Sequence, residues 1–456
     1  MRKLLFSVIV VCLTCTAFAQ IPASDARDKA GILLVVAHPD DDTLVSSYLA
    51  RAIFDQHKSV AVVFCTRGDS GSNSEAREHA RALGLVREIE ARRAMSLLGI
   101  TNVWFLDGRD TASQNVLVSL AAWPSASVLE QLVRVIRLTR PEVVMTWLPS
   151  SVAGENHGDH QAAGVLATQA FDLSGDSTVF PYQVAAPIRQ FENALEGLSP
   201  WQAQKLYYFT DAFDPSFFHG HGPEYSAKDI SASRKTSYLQ LAALSAAAYY
   251  TQSPNPNVNR QIEAGKDVDS AIAKLQQVGY VPDLVPLWLG KSHVSTKPTA
   301  DIFDGVTSAA IPFVPPQPKA ESAGGLRIEL AGPWGFYRNF WRAHNLQSLE
   351  HLRPEIAVQP NDTLTIPLLV QNNSSQATTV TPSVVLPQGW RQGVSPRPVT
   401  VSAGTETTIA IPVIAPGQLS NQFAEIRVTA DANSALSFQE SIFVKVSPFV
   451  AGQLKY

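Results

Sequence analysis

From residue 31 onward, hydrophobic and polar residues follow two different patterns. Short runs rich in Val, Ile and Leu are separated by longer stretches in which apolar residues recur every three or four positions. The short runs predict buried strands, and the longer stretches predict amphipathic helices. The predicted strands are 31–37, 59–66, 103–106 and 142–148, and the predicted helices are 42–54, 74–98 and 128–139. This order predicts an α/β fold of the doubly wound class, a mostly parallel sheet with helices on both faces.

The pattern changes twice towards the C-terminus. A further strand is predicted at 206–210 and a long alanine-rich helix at 231–250, whereas 311–325 has the proline and glycine content of a linker. From about residue 355, short Val-, Ile- and Thr-rich runs alternate with Asn, Gly, Pro and Ser, which predicts an all-β, immunoglobulin-like sandwich. The predicted strands of this sandwich are 363–371, 378–386, 407–413, 424–429 and 437–446.

The first nineteen residues have the features of a secretory signal peptide. A basic start is followed by an apolar run and by Ala-Phe-Ala before Gln20. We therefore expect an exported protein, periplasmic or extracellular, and no other segment is apolar for long enough to cross a membrane. Cleavage would leave Cys65 as the single cysteine, so no intrachain disulfide is expected.

Charge narrows the range of partners. The formal net charge is −4, and removal of Arg2 and Lys3 with the signal would make it −6. A mildly acidic chain without basic runs does not have the electrostatic footprint of a nucleic-acid-binding protein. Nothing in the composition indicates an oligomeric state.

Two tracts rich in acids and histidines carry the candidate chemistry. The first reads Ala-His-Pro-Asp-Asp-Asp at 37–42, and the second reads Asn-His-Gly-Asp-His at 156–160. The first begins as a predicted strand ends, and the second lies in the loop after another. Ligands in such folds bind at the carboxyl ends of the strands, so we expect the two tracts to meet at one edge of the sheet.

Together the tracts supply the residues of a hydrolytic metal site. Two imidazoles and one carboxylate leave a divalent metal with an open coordination position for water, and we propose His38, Asp41 and His160 as ligands. Zn²⁺ is the expected ion, and Fe²⁺ or another divalent ion is an alternative because mixed N/O ligand sets accept several metals. Asp40, beside a ligand, is the candidate general base.

The second tract offers a further imidazole. We expect Asp159 to orient His157 and keep it cationic, so that His157 stabilises the oxyanion and protonates the leaving amine. The purely structural alternative is that the aspartates at 40–42 cap a helix and that 156–160 is a polar loop. The occurrence of both tracts at strand ends favours the metal site.

Five landmarks in order resemble the PIG-L/LmbE family of zinc-dependent de-N-acetylases. Besides the two tracts they are Thr-Arg-Gly-Asp-Ser-Gly at 66–71, Arg-Glu-Ile-Glu at 87–90 ahead of Leu-Gly at 98–99, and Leu-Asp-Gly at 106–108. The resemblance extends over roughly 31–305 and does not include the sandwich. It implies a Rossmann-like fold and hydrolysis of an acetamide on an amino sugar.

The resemblance implies the same roles for His38, Asp40, Asp41, His157 and His160, and it adds a contact between Arg87 and substrate hydroxyls. One position departs from the family, which usually has Glu where this chain has Asp42. That difference concerns the orientation of neighbouring groups rather than metal binding. The expected domains are a signal peptide at 1–19, a PIG-L/LmbE-like deacetylase domain at 20–310, a linker and aromatic segment at 311–350, and a β-sandwich at 351–456.

The expected activity is therefore metal-dependent removal of acetyl from an N-acetylated amino sugar or glycoconjugate. Two alternatives remain open from the sequence. One is an amidase that acts on a longer acyl amide or conjugate, and the other is a non-catalytic exported protein that binds glycans. The length of the acyl pocket would separate the first alternative from deacetylation, and an intact Asp40 argues against the second.

Overall fold

The computed structural model describes residues 26–75, 77–152, 157–187, 195–317 and 325–448. The predicted signal peptide and Asn156 of the second tract lie outside these residues. The first half of the chain forms a six-stranded sheet of order β3-β2-β1-β4-β5-β8, in which β1 to β5 are parallel and β8 is antiparallel to β5; β6 and β7 pair separately. The strands are β1 Ile32–Val36, β2 Val60–Phe64, β3 Asn102–Phe105, β4 Val143–Trp147, β5 Lys205–Phe209, β6 Glu224–Ser226, β7 Leu284–Pro286 and β8 Trp288–Ser292.

The helices that follow the strands form two groups. Helix α7 contacts both α1 and α2, and α3, α4 and α5 contact one another. Their bounds are α1 Ser46–Phe54, α2 Ala80–Leu97, α3 Val116–Ala122, α4 Ser125–Thr139, α5 Gly158–Leu173, α6 Pro181–Val184, α7 Tyr238–Ala246, α8 Pro256–Glu263, α9 Val268–Gln277 and α10 Pro333–Ala343. Among the described residues no single helix is long and apolar enough to span a bilayer; α3 and α4 reach that measure only as a pair bent by 85°.

The mostly parallel sheet confirms the α/β fold that was predicted from the apolar runs and amphipathic stretches of the first part of the chain. Every residue of β1, β2, β4 and β5 is buried, which explains why these strands are continuous apolar runs rather than alternating ones. The carboxyl ends of β1 and β4 are adjacent, because β1 pairs directly with β4. This adjacency brings the two acid- and histidine-rich tracts to one edge.

One predicted segment differs from the structure, and another contains elements that the sequence analysis did not predict. The alanine-rich helix predicted at 231–250 is limited to α7, because Ser237 caps its start by accepting from the Gln240 N–H and Asn259 donates to the carbonyls of Ala247 and Tyr249 at its end. The segment 311–350, predicted as a linker with aromatic residues, contains strand β9 (Leu326–Leu330) and helix α10.

The C-terminal region is rich in β-structure, with largely antiparallel sheets. One sheet has the order β10-β17-β16-β12-β14 and the other β13-β15-β11-β9, and apolar side chains of both form one core. The immunoglobulin-like description stays a prediction. The strands are β10 Glu355–Val358, β11 Thr363–Asn372, β12 Thr378–Val385, β13 Arg391–Gln392, β14 Val399–Val401, β15 Thr405–Ile414, β16 Ala424–Ala432 and β17 Ala435–Val446.

Helix α10 joins the two regions. Its Tyr337 and Trp341 belong to the core of the first region, whereas Trp334 belongs to the core of the second. Tyr337 donates a hydrogen bond to Gln161 Oε1 at 2.7 Å, and Gln114 Nε2 donates to the Ala357 carbonyl of β10 at 2.9 Å. The aromatic residues around 334–341 therefore pack a domain interface.

Candidate metal centre

The turn after β1 fixes the carboxylate of Asp41. Its Oδ2 accepts from the backbone N–H groups of Ala37 and His38 at 2.8 and 2.9 Å, and from Trp147 Nε1 at 2.8 Å. These three donors saturate Oδ2 and leave Oδ1 directed at the two histidines. Asp40 adopts φ 87°, a left-handed conformation that Asp tolerates better than most residues. The turn is thereby shaped so that consecutive carboxylates have different surroundings.

The structure brings His38, Asp41 and His160 together. Asp41 Oδ1 lies 3.2 Å from His160 Nε2 and 3.6 Å from His38 Nδ1. One donor atom from each residue lies within 4.8 Å of the others, a spacing that a single ion can bridge, and all three residues are buried. His160 stands in the first turn of α5, which His157 caps, so the N-terminus of α5 carries the second tract into the site.

In each of the two candidate histidine ligands, the ring nitrogen that does not face Asp41 lies beside a carboxylate. His38 Nε2 lies 3.2 Å from Asp110 Oδ1 and 3.4 Å from Asp159 Oδ2, and His160 Nδ1 lies 3.3 Å from Asp211 Oδ2. His160 also stacks on Trp147 with ring centroids 3.9 Å apart. A carboxylate behind a histidine fixes its ring orientation and raises its basicity towards a metal.

The carboxylates around His38 and His160 favour a cation at this position. Burial would lower the pKa of His160, but the charge of Asp41 and the contact with Asp211 raise it to about 10. Burial acts against His38 in the same way, and its contacts with Asp110, Asp159 and Asp41 raise its pKa well above the usual value. Without an ion, protons on these rings balance the surrounding carboxylates. The N/O donor set and this demand for positive charge fit Zn²⁺ or a similar divalent ion.

A second group of possible donors shares His38 and includes Asp110, His157 and Asp159. The carboxylate of Asp159 is already engaged, because Oδ1 accepts from Thr111 Oγ1 at 2.7 Å and Oδ2 accepts from the Thr111 N–H at 2.8 Å. The His38, Asp41 and His160 group is therefore the stronger candidate for an ion site.

His157 is held differently from the sequence-based expectation. Its Nδ1 accepts from the backbone N–H of Asp159 at 3.2 Å, while the nearest oxygen of the Asp159 carboxylate is 4.0 Å away. Burial and the nearby His38 lower the pKa of His157 to about 4. Burial and His38 therefore disfavour the cationic form expected for His157, and the carboxylate of Asp159, which also bonds Thr111, only partly offsets them.

Gly158, between the two histidines, sits where no side chain fits. A Cβ there would lie 2.6 Å from Ser119 Oγ and 2.8 Å from the Ser113 carbonyl. The Gly158 N–H donates to that carbonyl at 2.5 Å. This close approach ties the start of α5 to the loop that carries Asp110 and Thr111.

Asp40 faces a cleft beside the three candidate ligands. Its Oδ1 accepts from Gln252 Nε2 at 2.8 Å and its Oδ2 accepts from Tyr280 OH at 3.2 Å. Asp40, Asp41 and His160 all line the cleft, whose volume is about 590 Å³. A carboxylate held by neutral donors beside a metal site can accept a proton from water.

Arg87 is buried beneath the loop at 66–72. Its guanidinium donates to the carbonyls of Gly68 and Ser72 and to Thr251 Oγ1, and only 4 % of the residue is exposed. Burial lowers its pKa from the ordinary value. Arg87 therefore shapes the loop in this structure, and its contact with substrate hydroxyls stays a prediction.

Sequence reasoning missed Asp110, Asp211 and Trp147. Trp147 ends β4, and Asp110 and Asp211 lie in the segments that follow β3 and β5. The rule that placed His38, namely that ligands bind where parallel strands end, would have selected all three. No histidine stands beside these residues in the sequence, so the sequence did not mark them as part of a metal site.

Asp42, the position that departs from the family, is fully buried behind the site. Its Oδ1 accepts from Tyr249 OH at 2.5 Å and its Oδ2 from Ser46 Oγ at 3.0 Å. Replacing Asp42 with Ala is expected to lower the free energy of unfolding by about 1–3 kcal/mol, because a buried hydroxyl loses its acceptor. Urea unfolding of the metal-free protein measures this loss.

Asp42→Asn is the matched variant, because its amide oxygen can still accept from Tyr249. Burial raises the pKa of Asp42 to about 6, above that of the unfolded chain, so its titration stabilises the fold in acid and this contribution is lost as the pH rises through 6. Between about pH 4 and pH 7 the wild type should therefore lose stability relative to Asp42→Asn. A pH-independent difference between the two would contradict the buried, ionisable environment.

Comparison with known proteins places part of the chain in a family. Residues 33–171 match the family model described as "PIG-L: GlcNAc-PI de-N-acetylase". The chain is 29% identical over 188 residues to 1D-myo-inositol 2-acetamido-2-deoxy-alpha-D-glucopyranoside deacetylase 1 of Frankia alni, an alignment that spans 38% of this chain and 59% of that protein. It is 32% identical over 165 residues to the corresponding deacetylase of Geodermatophilus obscurus, across 33% of this chain and 55% of that protein.

The chain thus spans less than three fifths of the length of these relatives. Among solved structures, the N,N'-diacetylchitobiose deacetylase of Pyrococcus horikoshii aligns with 57% of this chain and 84% of its own, at 19% identity and a TM-score of 0.39. The family match contains all the candidate ligands, Asp40 and His157, whereas Asp211, Gln252 and Tyr280 lie beyond it. Residues 33–171 are therefore similar to the PIG-L family of de-N-acetylases.

Proposed function

We propose that this protein is an exported, metal-dependent hydrolase that removes acetyl from an N-acetylated amino sugar or glycoconjugate. The observation that carries the proposal is the convergence of His38, Asp41 and His160 on one point, with Asp40 beside them in the same cleft. A scaffold protein has no need for a buried cluster of cation-seeking side chains that opens onto a cleft.

His38, Asp41 and His160 would hold the ion, with Zn²⁺ first and Fe²⁺ or Mn²⁺ as alternatives for this donor set. A bound divalent ion supplies Lewis acidity and lowers the pKa of water. The protein contributes ligand rings already oriented by Asp110, Asp159 and Asp211. Little rearrangement is then needed when the ion is bound.

Asp40 is proposed to take the proton of the attacking water. Gln252 and Tyr280 fix the orientation of its carboxylate through hydrogen bonds from neutral donors. When the amide carbon–nitrogen bond breaks, the same carboxyl group can return the proton to the amine nitrogen. Asp40 then returns the one proton that it took, and acetic acid and the amine are released, which at neutral pH become acetate and the protonated amine.

His157 is proposed to donate to the oxygen of the amide as negative charge develops there. Its Nδ1 accepts from the Asp159 N–H, so the proton of the neutral ring resides on Nε2. A neutral donor can stabilise an oxyanion, and the low pKa makes His157 a poor carrier of the amine's proton. This assigns protonation of the amine to Asp40 instead of His157.

The substrate class rests on the family and its relatives. By their names, the relatives from Frankia alni and Geodermatophilus obscurus act on an acetamido-glucopyranoside of inositol, and an acetamido sugar is the corresponding expectation here. The presence of Asp40 and of the full ligand set argues against a non-catalytic glycan-binding protein. Export rests on the apolar N-terminal segment of the sequence.

Acetate release tests the proposal. The purified protein should release acetate from compounds containing N-acetylglucosamine, lose that activity when treated with a chelator, and regain it when Zn²⁺ or Fe²⁺ is restored. A matched panel of N-octanoyl compounds tests the longer-acyl alternative. Acetate release that is unaffected by metal removal, or no release from any acetamido sugar, would contradict the proposed function.

A further inference from the structure

The cleft beside the metal centre is lined by two chemically different sets of residues. One set is the carboxylates of Asp40, Asp41 and Asp211. The other set includes Leu44, Phe213, Val278, Pro282 and Leu284, which we call the apolar wall. A volume of about 590 Å³ is typical of clefts that enclose small-molecule ligands.

The apolar wall is exposed where burial would be expected. Phe213, Val278 and Leu284 expose 44 %, 60 % and 39 % of their surface. Single exposed apolar residues are ordinary, but three beside one cleft indicate a surface that a ligand covers. Phe213 lies in the loop after β5, Val278 follows α9 directly and Leu284 begins β7, so separate parts of the fold build the wall.

Charge limits what can occupy the cleft. Among the described residues that line it, three are aspartates and none is Lys or Arg. Phosphate and carboxylate groups of ligands are usually held by Arg or Lys. A divalent ion would offset two of the three negative charges, so the lining itself has no excess of positive charge for an anionic substituent. Lys445, which stands over the Phe213 ring, is not among the lining residues.

The size of the acyl group that is released indicates which half of the substrate, the acyl half or the amine half, contacts the apolar wall. An acetyl group is a single methyl beyond the carbonyl, which is too small to cover Phe213, Val278 and Leu284 together. If acetyl is released, as the proposed function holds, the wall must serve the amine half of the substrate. The part of an amino sugar that can be large and apolar is its aglycone.

Resting on the proposed function, we propose that the substrate is an uncharged N-acetyl amino sugar whose aglycone is apolar, an aryl or alkyl group that packs against the apolar wall. Lys445 of β17 places its Nζ 4.0 Å from the centroid of the Phe213 ring. The C-terminal region thereby supports one side of the wall and helps to hold Phe213 at the edge of the cleft.

Turnover of three glycosides tests the proposal. We expect kcat/KM for the phenyl glycoside of N-acetylglucosamine to exceed that for the methyl glycoside at least tenfold, mainly through a lower KM, and N-acetylglucosamine 1-phosphate to be the poorest substrate. Phe213→Ala and Val278→Ser should each reduce the phenyl-to-methyl ratio of kcat/KM. Val394→Ser is the matched control, because Val394 is 71 % exposed and does not line the cleft; it should leave the ratio unchanged.

A binding measurement separates this inference from the proposed function. Calorimetry with the amine products, phenyl and methyl glucosaminide, should show tighter binding of the phenyl compound even in a variant that does not turn over. Equal kcat/KM for the phenyl and methyl substrates would overturn the inference and leave deacetylation standing. A preference for N-octanoyl over N-acetyl substrates, or for the phosphate, would also overturn it. Selective phenyl binding without acetate release would support the apolar site while contradicting the proposed reaction.

Discussion

Asp40→Asn is expected to lower kcat for acetate release by about 10²- to 10⁴-fold while the protein keeps its full complement of metal. The amide oxygen can still accept from Gln252 or Tyr280, but it cannot take a proton from water at neutral pH. Asn also tolerates the left-handed backbone conformation of residue 40. The variant should therefore fold normally and fail at the chemical step.

The chain offers a matched control for this substitution. Asp267 is also an aspartate in the left-handed conformation, with φ 44°, and it is exposed at the N-terminus of α9 away from the cleft. Asp267→Asn should leave both kcat and the metal content unchanged. Metal is measured by elemental analysis and the rate by acetate release. A near-normal rate in Asp40→Asn with bound metal would remove Asp40 from the role of base.

His160→Ala is expected to abolish both metal binding and turnover. Removing a group that only orients a ligand costs about 10- to 100-fold in metal affinity, and removal of a ligand should cost at least as much. The variant also loses the ring stacked on Trp147 and the contact with Asp41 Oδ1. The expected result is a protein without bound metal and with activity at the background level.

His221→Ala controls for the loss of a stacked histidine. His221 packs on Trp288 with ring centroids 3.7 Å apart, almost as His160 packs on Trp147, but it is exposed and does not line the cleft. This variant should retain metal and activity. Circular dichroism of both variants establishes that they fold. Retention of one equivalent of metal in a folded His160→Ala protein would contradict the proposed ligand set.

The sheet could be predicted because its signal is local. Strands β1, β2 and β4 are short apolar runs at the positions that periodicity indicated, and such runs need no distant partner to be recognised. The predicted helix at 231–250 was too long because alanine content favours a helix and does not show that Asn259 would bind the carbonyls at its end.

The segment at 311–350, expected to be a linker followed by aromatic residues, illustrates the same limit. The strand β9 found there pairs with β11, some forty residues further along the chain. Its local composition does not mark it as part of a sheet, and only that pairing makes it a strand. Helix α10 likewise owes its position to two cores that it joins, since its aromatic residues are divided between them.

The sequence by itself determined that His38, Asp41 and His160 would lie near one another. Each belongs to a tract that follows a parallel strand, and parallel strands end at one edge of their sheet. Only the tertiary structure decided which other side chains surround them. Asp40 meets Gln252 and Tyr280, each more than 200 residues away along the chain.

The same holds for the charge state of the second tract. Sequence proximity suggested that the carboxylate of Asp159 would serve His157, but folding brings Thr111 and His38 to that carboxylate and leaves His157 with a backbone N–H. The physical reason is that strand positions follow from the local pattern of apolar residues. Hydrogen-bond partners instead depend on loops whose meeting point no local pattern encodes.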